Sequence, residues 1–372
     1  MDFIARRDEI LRELSLVQGI VERKNTIPVL ANVLLEAKGS RVELVATDLD
    51  VGLKTSFEAK VKEPGALTLS AKKLFEIVRA SGDSEINVRE LENSWASIIC
   101  GKSYFKMVGL GKAEFPSLPE PPSETLSTLP GGLLREMIQK TIFAITGEEG
   151  RYYLNGALFE IHKDSFALVS TDGHRLAYVS SKAATGVKTT QPAKVIVPKK
   201  TLSELLKVVG EPATQVEFSV GDNHLFFKLG SRALVSKRVE NQFPAWEKVI
   251  PRENDKIVAL GREEFASALR RVSLLANERS RAVRLAISSG KMEISSQNPE
   301  VGEARESIDV DYSGDAVQIG FNGQYLLDFM SAVGSDRVSL ELKDDSSQGL
   351  LRAGSDGEAP QDYRYVVMPM RI

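Results

Sequence analysis

The stretch FALVSTDGHRLAYVSS, residues 166–181, holds two apolar, strand-like runs on either side of a short polar segment. Asp172-Gly173 between such runs predicts a tight β-hairpin, because hairpin turns need positive φ values that glycine adopts at little cost. A second Thr-Asp pair, Thr47-Asp48, lies between two further strand-like runs in NVLLEAKGSRVELVATDLDVGLKTSF, residues 32–57. The hairpin is therefore one copy of a repeated feature.

The whole chain repeats an order of helix, strands, second helix and further strands three times. The first helices are predicted in residues 8–23, 129–146 and 261–276, the second in 71–81, 198–209 and 321–334, and the strand-rich stretches in 32–57, 156–181 and 283–308. In the third copy, Phe265, Leu269 and Val272 mark one helical face. A helix followed by several strands favours antiparallel sheets with helices on one face, an α+β fold.

Length and composition bound the class of protein. The chain has 372 residues, more than one typical domain, with 42% hydrophobic and 27% charged residues, so we expect several soluble globular domains. No apolar run is long enough to span a bilayer, and the early charges of MDFIARRDEILREL argue against a signal peptide. The single cysteine, Cys100, lies in the apolar run ASIIC and is expected to be a buried thiol.

Asp172 and His174 raise the alternative of a hydrolase or nuclease. No serine stands in a G-x-S-x-G elbow, and the other two histidines, His162 and His224, have no companions of metal-binding type. The segment GKS at 101–103 lacks the first glycine of a phosphate loop and reads as a hairpin turn. We therefore expect no catalytic residue, no metal and no cofactor.

The charge distribution bears on nucleic acid as a partner. The net charge is −3, yet six stretches around the predicted helices together carry +7 and the remainder −10; these stretches are 6–24, 71–79, 133–146, 198–208, 262–281 and 321–337. Basic helices on an acidic chain favour one surface that meets phosphates, although a solvated helix face is an equally simple interpretation. No recognition-helix motif is visible, which disfavours a sequence-specific DNA-binding protein.

Six segments in order resemble the bacterial DNA polymerase III beta subunit, or sliding clamp, family. They are NTIPVLANVLLE (25–36), RYYLNGALFE (151–160), TDGHRLA (171–177), FPAWEKVIP (243–251), FNGQYLLD (321–328) and YVVMPMRI (365–372). The resemblance covers the full chain. It implies three DNA-clamp domains, 1–122, 123–252 and 253–372, each with two helices on antiparallel sheets, that form a ring as a head-to-tail homodimer.

The resemblance implies a non-enzymatic processivity factor in the cytoplasm. Such a ring encircles duplex DNA without sequence preference and tethers polymerases, the clamp loader and repair proteins that carry a short linear motif. A clamp must stay on DNA yet move along it, so weak phosphate contacts suit it. The implied DNA-facing residues are Lys24, Lys72, Lys73, Arg151, Tyr152, Tyr153, Lys199 and Lys200. Glu148 and Glu149 depart from the family pattern beside the loop that begins at Arg151.

The family's partner pocket, carried over by position, comprises residues from five of the six quoted segments. They are Leu154, Thr171, Gly173, His174, Arg175, Leu176, Pro244, Lys248, Val249, Tyr325, Val366, Met368, Pro369, Met370 and Arg371. Lys248 stands where arginine is common, and Ser346 and Gln348 lie in a loop that matches poorly. Apolar members would take aliphatic and aromatic residues of a peptide, while His174 and Arg175 would fix its backbone or polar ends.

The resemblance also implies a protomer interface in which Phe105 and Met107 meet Leu274 and Leu275 of the other chain. In isolation, both pairs read as core residues. Pairing exposed strand edges into a ring would also remove an aggregation hazard.

Overall fold

A computed structural model describes residues 1–21, 27–82, 85–147, 149–187, 192–210, 214–354 and 361–371. Within these ranges, six α-helices accompany antiparallel β-sheets, which confirms the predicted α+β class. No helix in the described ranges is both long and apolar enough to cross a membrane.

The helices are short, between 9 and 12 residues. They are α1 (Arg7–Val17), α2 (Ala71–Ala80), α3 (Gly131–Gln139), α4 (Lys199–Val208), α5 (Arg262–Ser273) and α6 (Gly323–Ala332).

The described residues form 25 β-strands. They are β1 (Asp2–Arg6), β2 (Asn32–Lys38), β3 (Arg41–Thr47), β4 (Val51–Glu58), β5 (Lys60–Glu63), β6 (Gly65–Ser70), β7 (Glu85–Glu90), β8 (Trp95–Cys100), β9 (Ser103–Gly111), β10 (Ser127–Pro130), β11 (Gly156–Ile161), β12 (Ser165–Thr171), β13 (Arg175–Lys182), β14 (Ala193–Pro198), β15 (Gln215–Val220), β16 (His224–Leu229), β17 (Arg232–Lys237), β18 (Lys256–Gly261), β19 (Ala282–Ser288), β20 (Lys291–Asn298), β21 (Gly302–Asp309), β22 (Val317–Asn322), β23 (Arg337–Leu342), β24 (Gly349–Ala353) and β25 (Gln361–Val367).

The chain divides into two compact units. Unit 1 comprises Met1–Arg135 with Lys200–Arg238, and unit 2 comprises Glu136–Lys199 with Val239–Ile372. Unit 1 holds a 13-stranded sheet of order β10-β15-β16-β17-β4-β3-β2-β6-β9-β8-β7-β1-β5. This sheet runs without a break from β4 to β17 through backbone pairs such as Val235 with Gly52, so parts of two sequence repeats share one unit.

Unit 2 holds two sheets. The 8-stranded sheet has the order β14-β11-β12-β13-β25-β24-β23-β18, and the 4-stranded sheet the order β21-β20-β19-β22. In the first, β13 pairs with the last strand of the chain, β25. Two segments far apart in sequence are therefore neighbours in one sheet.

The helices bury one apolar face, as the residue spacing predicts. In α5, Phe265, Leu269 and Val272 are fully buried, and Glu263 and Glu264 in the first turn complement the helix dipole. The helix α6 begins at the cap Asn322, whose side chain accepts a hydrogen bond from a backbone N–H of the first turn.

The structure differs from the sequence-based prediction at the first helix of each repeat. A short strand, β1, β10 or β18, comes directly before α1, α3 or α5. The helix predicted in 129–146 is confined to α3, and a 3₁₀ turn follows at Ile142–Ala144. Two successive β-branched residues, Thr141 and Ile142, lose side-chain freedom in a helix and disfavour its continuation.

Two smaller predictions agree with the structure. Gly101-Lys102 joins β8 to β9 as a hairpin turn, with Gly101 at φ +58°. The thiol of Cys100 is buried.

Candidate functional site

The turn between β12 and β13 consists of Asp172, Gly173 and His174. Gly173 has φ +88°, so only one turn residue takes a left-handed conformation, where the sequence suggested a two-residue turn. The Asp172 Oδ1 atom accepts hydrogen bonds from the backbone N–H groups of His174 (2.9 Å) and Arg175 (3.0 Å). The Thr171 hydroxyl accepts from the Gly173 N–H (3.1 Å) and donates to the Arg175 carbonyl (2.6 Å). Side chains therefore fix this turn as firmly as the strands do.

The turn between β3 and β4 repeats these bonds. Asp48 Oδ1 accepts from the N–H groups of Asp50 (2.9 Å) and Val51 (2.7 Å). The Thr47 hydroxyl accepts from the Leu49 N–H (3.0 Å) and donates to the Val51 carbonyl (3.0 Å). Leu49 takes the glycine position at φ +77°. The Thr-Asp pair thus forms the same turn in the first two copies of the repeat.

These bonds weaken the hydrolase alternative. Asp172 Oδ1 caps the turn and Oδ2 accepts from Arg175 Nε at 3.0 Å, so neither oxygen is placed to act on His174. Within the described residues, no group of three or more His, Cys, Asp or Glu side chains could hold a metal ion.

The Arg175 side chain is the centre of the site in unit 2. Its Nε bonds to Asp172, and its Nη1 donates to Asp328 Oδ2 on α6 (2.5 Å) and to the Tyr365 hydroxyl on β25 (3.4 Å). Its Nη2 donates to the Phe143 carbonyl at 2.6 Å. Four segments thus meet at one guanidinium whose side chain is only 10% exposed.

The guanidinium of Arg175 also lies over two aromatic rings. Its central carbon is 4.2 Å from the centroid of the Tyr325 ring and 5.4 Å from that of Phe143. Burial by itself would lower the pKa of Arg175, but Tyr365 and Asp328 raise it above the ordinary arginine value. Arg175 therefore remains a cation whenever the protein is folded, and most of its donors are engaged within the chain. This differs from the expectation that it reaches a peptide.

The C-terminal segment lies beside the turn. Strands β13 and β25 pair with Leu176 opposite Val366, and the Met368 N–H donates to the His174 carbonyl at 2.9 Å. The strand ends at Val367, as the proline that follows predicts, and Met368 is 37% exposed. The Met370 N–H bonds to the Gly320 carbonyl at 2.8 Å. The two walls of the predicted pocket are therefore adjacent.

A buried apolar cluster forms the base of this region. It consists of Leu158, Val169, Leu176, Ile196, Trp246, Leu350 and Val366, with Tyr178, Val239, Phe243, Val249 and Ile250 packed against it. The indole of Trp246 stacks on Tyr178, with ring centroids 4.8 Å apart. Pro244 and Lys248, two residues before and two after Trp246, are exposed.

The remaining predicted pocket members fall in unit 2 as well. Leu154 is buried, Pro369 is half-buried, and Arg371 is exposed. The Gln348 amide donates to the Val249 carbonyl at 3.3 Å, which brings the poorly matching loop to this region, whereas Ser346 bonds to Asp344 within that loop.

The predicted DNA-facing residues have unequal environments. Lys72 and Lys73 on α2 are 65% and 66% exposed and pair with Glu76. On α4, Lys199 Nζ donates to the Ile145 carbonyl at 3.1 Å, and burial, followed by the charge of Arg175, lowers its pKa. Lys200 Nζ contacts the buried carboxylate of Asp48. The lysines of α2 are thus the more available to phosphates.

The loop that begins at Arg151 lies next to the turn. Arg151 Nη1 donates to the Asp172 carbonyl at 3.1 Å, and a methyl group on Gly173 would lie 2.8 Å from the same nitrogen. Tyr153 is half-buried. Lys24 and Glu148 lie outside the described residues, and the structure does not describe the side chains of Glu149 and Tyr152.

The predicted interface residues are not core residues, contrary to how they read in isolation. Leu274 follows the last turn of α5 and is 81% exposed, while Leu275, Phe105 and Met107 are half-buried. Strand β9 pairs with β6 only over Gly109–Gly111, so within the described part of the chain Ser103–Val108 pairs with a strand on one side alone, β8. This is an open strand edge with apolar side chains.

Sequence reasoning missed three contributors to the site. Trp246 provides the largest side chain of the apolar cluster, Asp328 is the charged partner of Arg175, and Phe143 supplies its carbonyl acceptor. Trp246 and Asp328 stand within FPAWEKVIP and FNGQYLLD, so these quoted motifs carried the signal. Nothing local marks Phe143.

A repeated fold with an apolar cluster beside a fixed, partly exposed turn is typical of a binding protein. The comparisons with known proteins define the class further. The N-terminal, central and C-terminal domains of the DNA polymerase III beta subunit match residues 1–119, 128–245 and 247–371.

Close relatives match over their full length. The chain is 37% identical to the beta sliding clamp of Pseudomonas putida and 34% identical to that of Escherichia coli, with 100% of each chain covered. Among solved structures, the DNA polymerase III subunit beta of Pseudomonas aeruginosa superposes with a TM-score of 0.93 at 37% identity, with 100% of both chains covered. The same clamp bound to griselimycin gives a TM-score of 0.93.

The chain belongs to the DNA polymerase III beta subunit family. Members of this family are sliding clamps, non-catalytic processivity factors that encircle DNA and bind polymerases through a pocket. The predicted family, fold class and non-enzymatic function are confirmed.

Proposed function

We propose that the chain acts as a homodimeric ring whose pocket in unit 2 takes linear motifs of polymerases, the clamp loader and repair proteins. The observation that carries this proposal is the pairing of β13 with β25. It sets Leu176 beside Val366, both within the cluster that contains Trp246, and the exposed His174 beside Met368. A peptide's apolar residues would bury against these side chains.

The members of this pocket fall into two groups. Arg175 and Thr171 fix the turn, and Leu154 and Leu176 supply buried apolar surface. The exposed His174, Met368 and Arg371, together with Gly173, Pro244, Lys248, Val249, Tyr325, Pro369 and Met370, provide the surface that a partner would contact. Val366 is buried and belongs with Leu154 and Leu176 in the first group.

The proposed dimer joins the open edge of β9 with the end of α5 of a second chain. Phe105 and Met107 stand on that edge, and Leu274 and Leu275 follow α5. An 81% exposed leucine and an unpaired strand edge both favour burial against a partner. The closed ring would then hold DNA by topology.

The proposed DNA contacts are electrostatic. Lys72 and Lys73 present two exposed ammonium groups at the start of α2, and Lys199, Lys200 and Arg151 contribute to a lesser degree because intramolecular contacts engage them. Because contacts with phosphates do not depend on the base sequence, they slow the movement of the protein along DNA little.

Domain boundaries and location complete the proposal. Three domains at 1–122, 123–252 and 253–372 are supported by the three ranges that match the family's domains. A cytoplasmic location is supported by a partner, DNA, that resides there in bacteria.

Removal of Met368–Ile372 tests the pocket. We expect the shortened chain to lose griselimycin binding by at least tenfold, because the exposed wall that contains Met368 is gone, and to keep the dimeric mass, because the proposed interface lies elsewhere. Isothermal titration calorimetry and analytical ultracentrifugation measure the two. Undiminished griselimycin binding by a folded, shortened chain would show that the pocket has been assigned to the wrong surface.

A further inference from the structure

We propose that a cavity beside Trp246 is a carboxylate-binding site for the partner peptide. It would take an acidic side chain, or the terminal carboxylate, that lies next to the peptide's apolar residues. The inference rests on the proposed pocket in unit 2, but the cavity and its charges are separate observations.

The cavity has a volume of about 400 Å³, enough for one side chain and ordered water. Trp246 lines it, together with three arginines and two glutamates, Arg252, Arg352, Arg364, Glu247 and Glu341. All of these residues belong to unit 2.

Internal ion pairs account for all but one of the cavity's charges. Arg364 donates to both carboxylate oxygens of Asp362, at 2.9 and 2.6 Å. Arg352 Nε lies 3.1 Å from Glu341 Oε1, and Glu247 lies 3.9 Å from Lys194 Nζ. Arg252 is the one charged lining residue without an ion pair among the described residues, so the lining side chains carry a net charge of +1.

Two of the guanidinium groups that line the cavity have unused hydrogen-bond donors. Arg252 is exposed and makes no hydrogen bond or ion pair with the part of the chain that the structure describes. Arg352 Nε is near Glu341 but buried without a well-directed hydrogen bond. Guanidinium donors arranged around one space match the planar geometry of a carboxylate.

Trp246 connects the cavity to the partner pocket. The indole lines the cavity and also belongs to the apolar cluster with Leu176 and Val366. A peptide whose apolar residues cover that cluster therefore has its neighbouring residue within reach of the cavity. An acidic group there would replace water around Arg252.

Nuclear magnetic resonance with a small probe tests the cavity independently of the peptide pocket. The chain has two tryptophans, Trp95 and Trp246, so the indole N–H of Trp246 can be followed with Trp95 as an internal control. N-acetyl-aspartate amide at millimolar concentration should shift the Trp246 signal in a saturable manner. N-acetyl-asparagine amide, which has the same shape without the charge, should not.

Variants assign that shift to the arginine. R252A should abolish the saturable shift and leave griselimycin affinity unchanged, whereas R279A, which removes an exposed arginine that does not line the cavity, should change neither. A shift of equal size with the asparagine probe, or one that survives in R252A, would overturn the carboxylate site.

Three synthetic peptides with one Leu-Phe core then identify the source of the carboxylate. One carries Asp after the core and an amidated end, one carries Asn and an amidated end, and one carries Asn and a free carboxylate. We expect about three- to tenfold tighter binding of one of the charged peptides than of the neutral one, and loss of that gain in R252A. Equal affinities of all three would refute a partner carboxylate. Failure of griselimycin to bind would instead refute the proposed pocket. The N-acetyl-aspartate amide probe would still test whether the cavity binds a carboxylate.

Discussion

Replacement of Arg175 by alanine should destabilise the protein strongly and disable the partner pocket. The variant leaves Asp172 and Asp328, whose side chains are 14% and 22% exposed, without their cation. It also leaves the Phe143 carbonyl without its 2.6 Å hydrogen bond.

The magnitude follows from burial. Removal of one partner of a buried ion pair costs about 3–5 kcal/mol, because the remaining charge stays desolvated. The carboxylates of Asp172 and Asp328 retain some access to water, so we expect a value near the lower end, ~3 kcal/mol. R175K keeps the charge but loses the planar fork and the contact with the Tyr325 ring, and should cost about 1–2 kcal/mol.

Urea denaturation followed by circular dichroism measures the stabilities, and griselimycin titration of the folded variants measures the pocket. R364A is the matched control, since Arg364 also forms a two-oxygen pair, with Asp362, but its side chain is 33% exposed. The control should cost no more than about 1 kcal/mol. If R175A were as stable as R364A and bound griselimycin normally, Arg175 would not hold the site together.

Three further predictions concern other parts of the chain. E13Q should cost about 2–3 kcal/mol at pH 7 by urea denaturation, because the buried carboxylate accepts two hydrogen bonds from Arg232, at 3.0 and 2.7 Å. Burial would raise the pKa of Glu13, but the hydrogen bonds from Arg232 lower it below 4.5. This stabilisation is therefore present above pH 4.5 and is lost as the pH falls through the folded-state pKa. A free energy of unfolding with the same pH dependence in E13Q and in the unchanged protein would contradict it. L274D should give a folded chain of monomeric mass in analytical ultracentrifugation, and a persistent dimer would rule out this interface. Hydrogen bonds from the Ser346 and Ser347 N–H groups lower the pKa of Asp344 to about 2, which a carboxyl-carbon titration by magnetic resonance should show; a value near 3.8 would disprove those bonds.

Local features of the fold could be predicted from the sequence. The turn at Asp172-Gly173 was predictable because its hydrogen bonds join residues within four positions, and the glycine supplies the positive φ. The repeat was predictable for the same reason, since Thr47 and Asp48 rebuild that turn from matching residues.

Long-range contacts could not be predicted in this way. Arg175 meets Asp328 through the pairing of strands that lie far apart in sequence, and no local pattern encodes that partner. Read in isolation, Leu274 was likewise expected in the core, although its position just beyond α5 leaves it exposed. Lys200 was expected to face DNA, but it forms an ion pair with Asp48 of another repeat.

The resemblance to a family supplied the list of pocket residues, and the structure sorts that list by role. His174 and Met368 are exposed and can contact a partner, whereas Arg175 is committed to the chain itself. Positions carried over from a family do not separate residues that contact a partner from residues that hold the pocket together, because both lie at the same turn.

The central claim is that the protein holds DNA by enclosing it, and one measurement tests this most directly. The protein is loaded onto a nicked circular plasmid by a clamp loader, separated from free protein by gel filtration, and the plasmid is then cut once. We predict that the protein stays with the circle and leaves the linear DNA within the time of a second filtration, at a salt concentration where phosphate contacts alone are weak. Equal retention on circular and linear DNA would contradict topological binding.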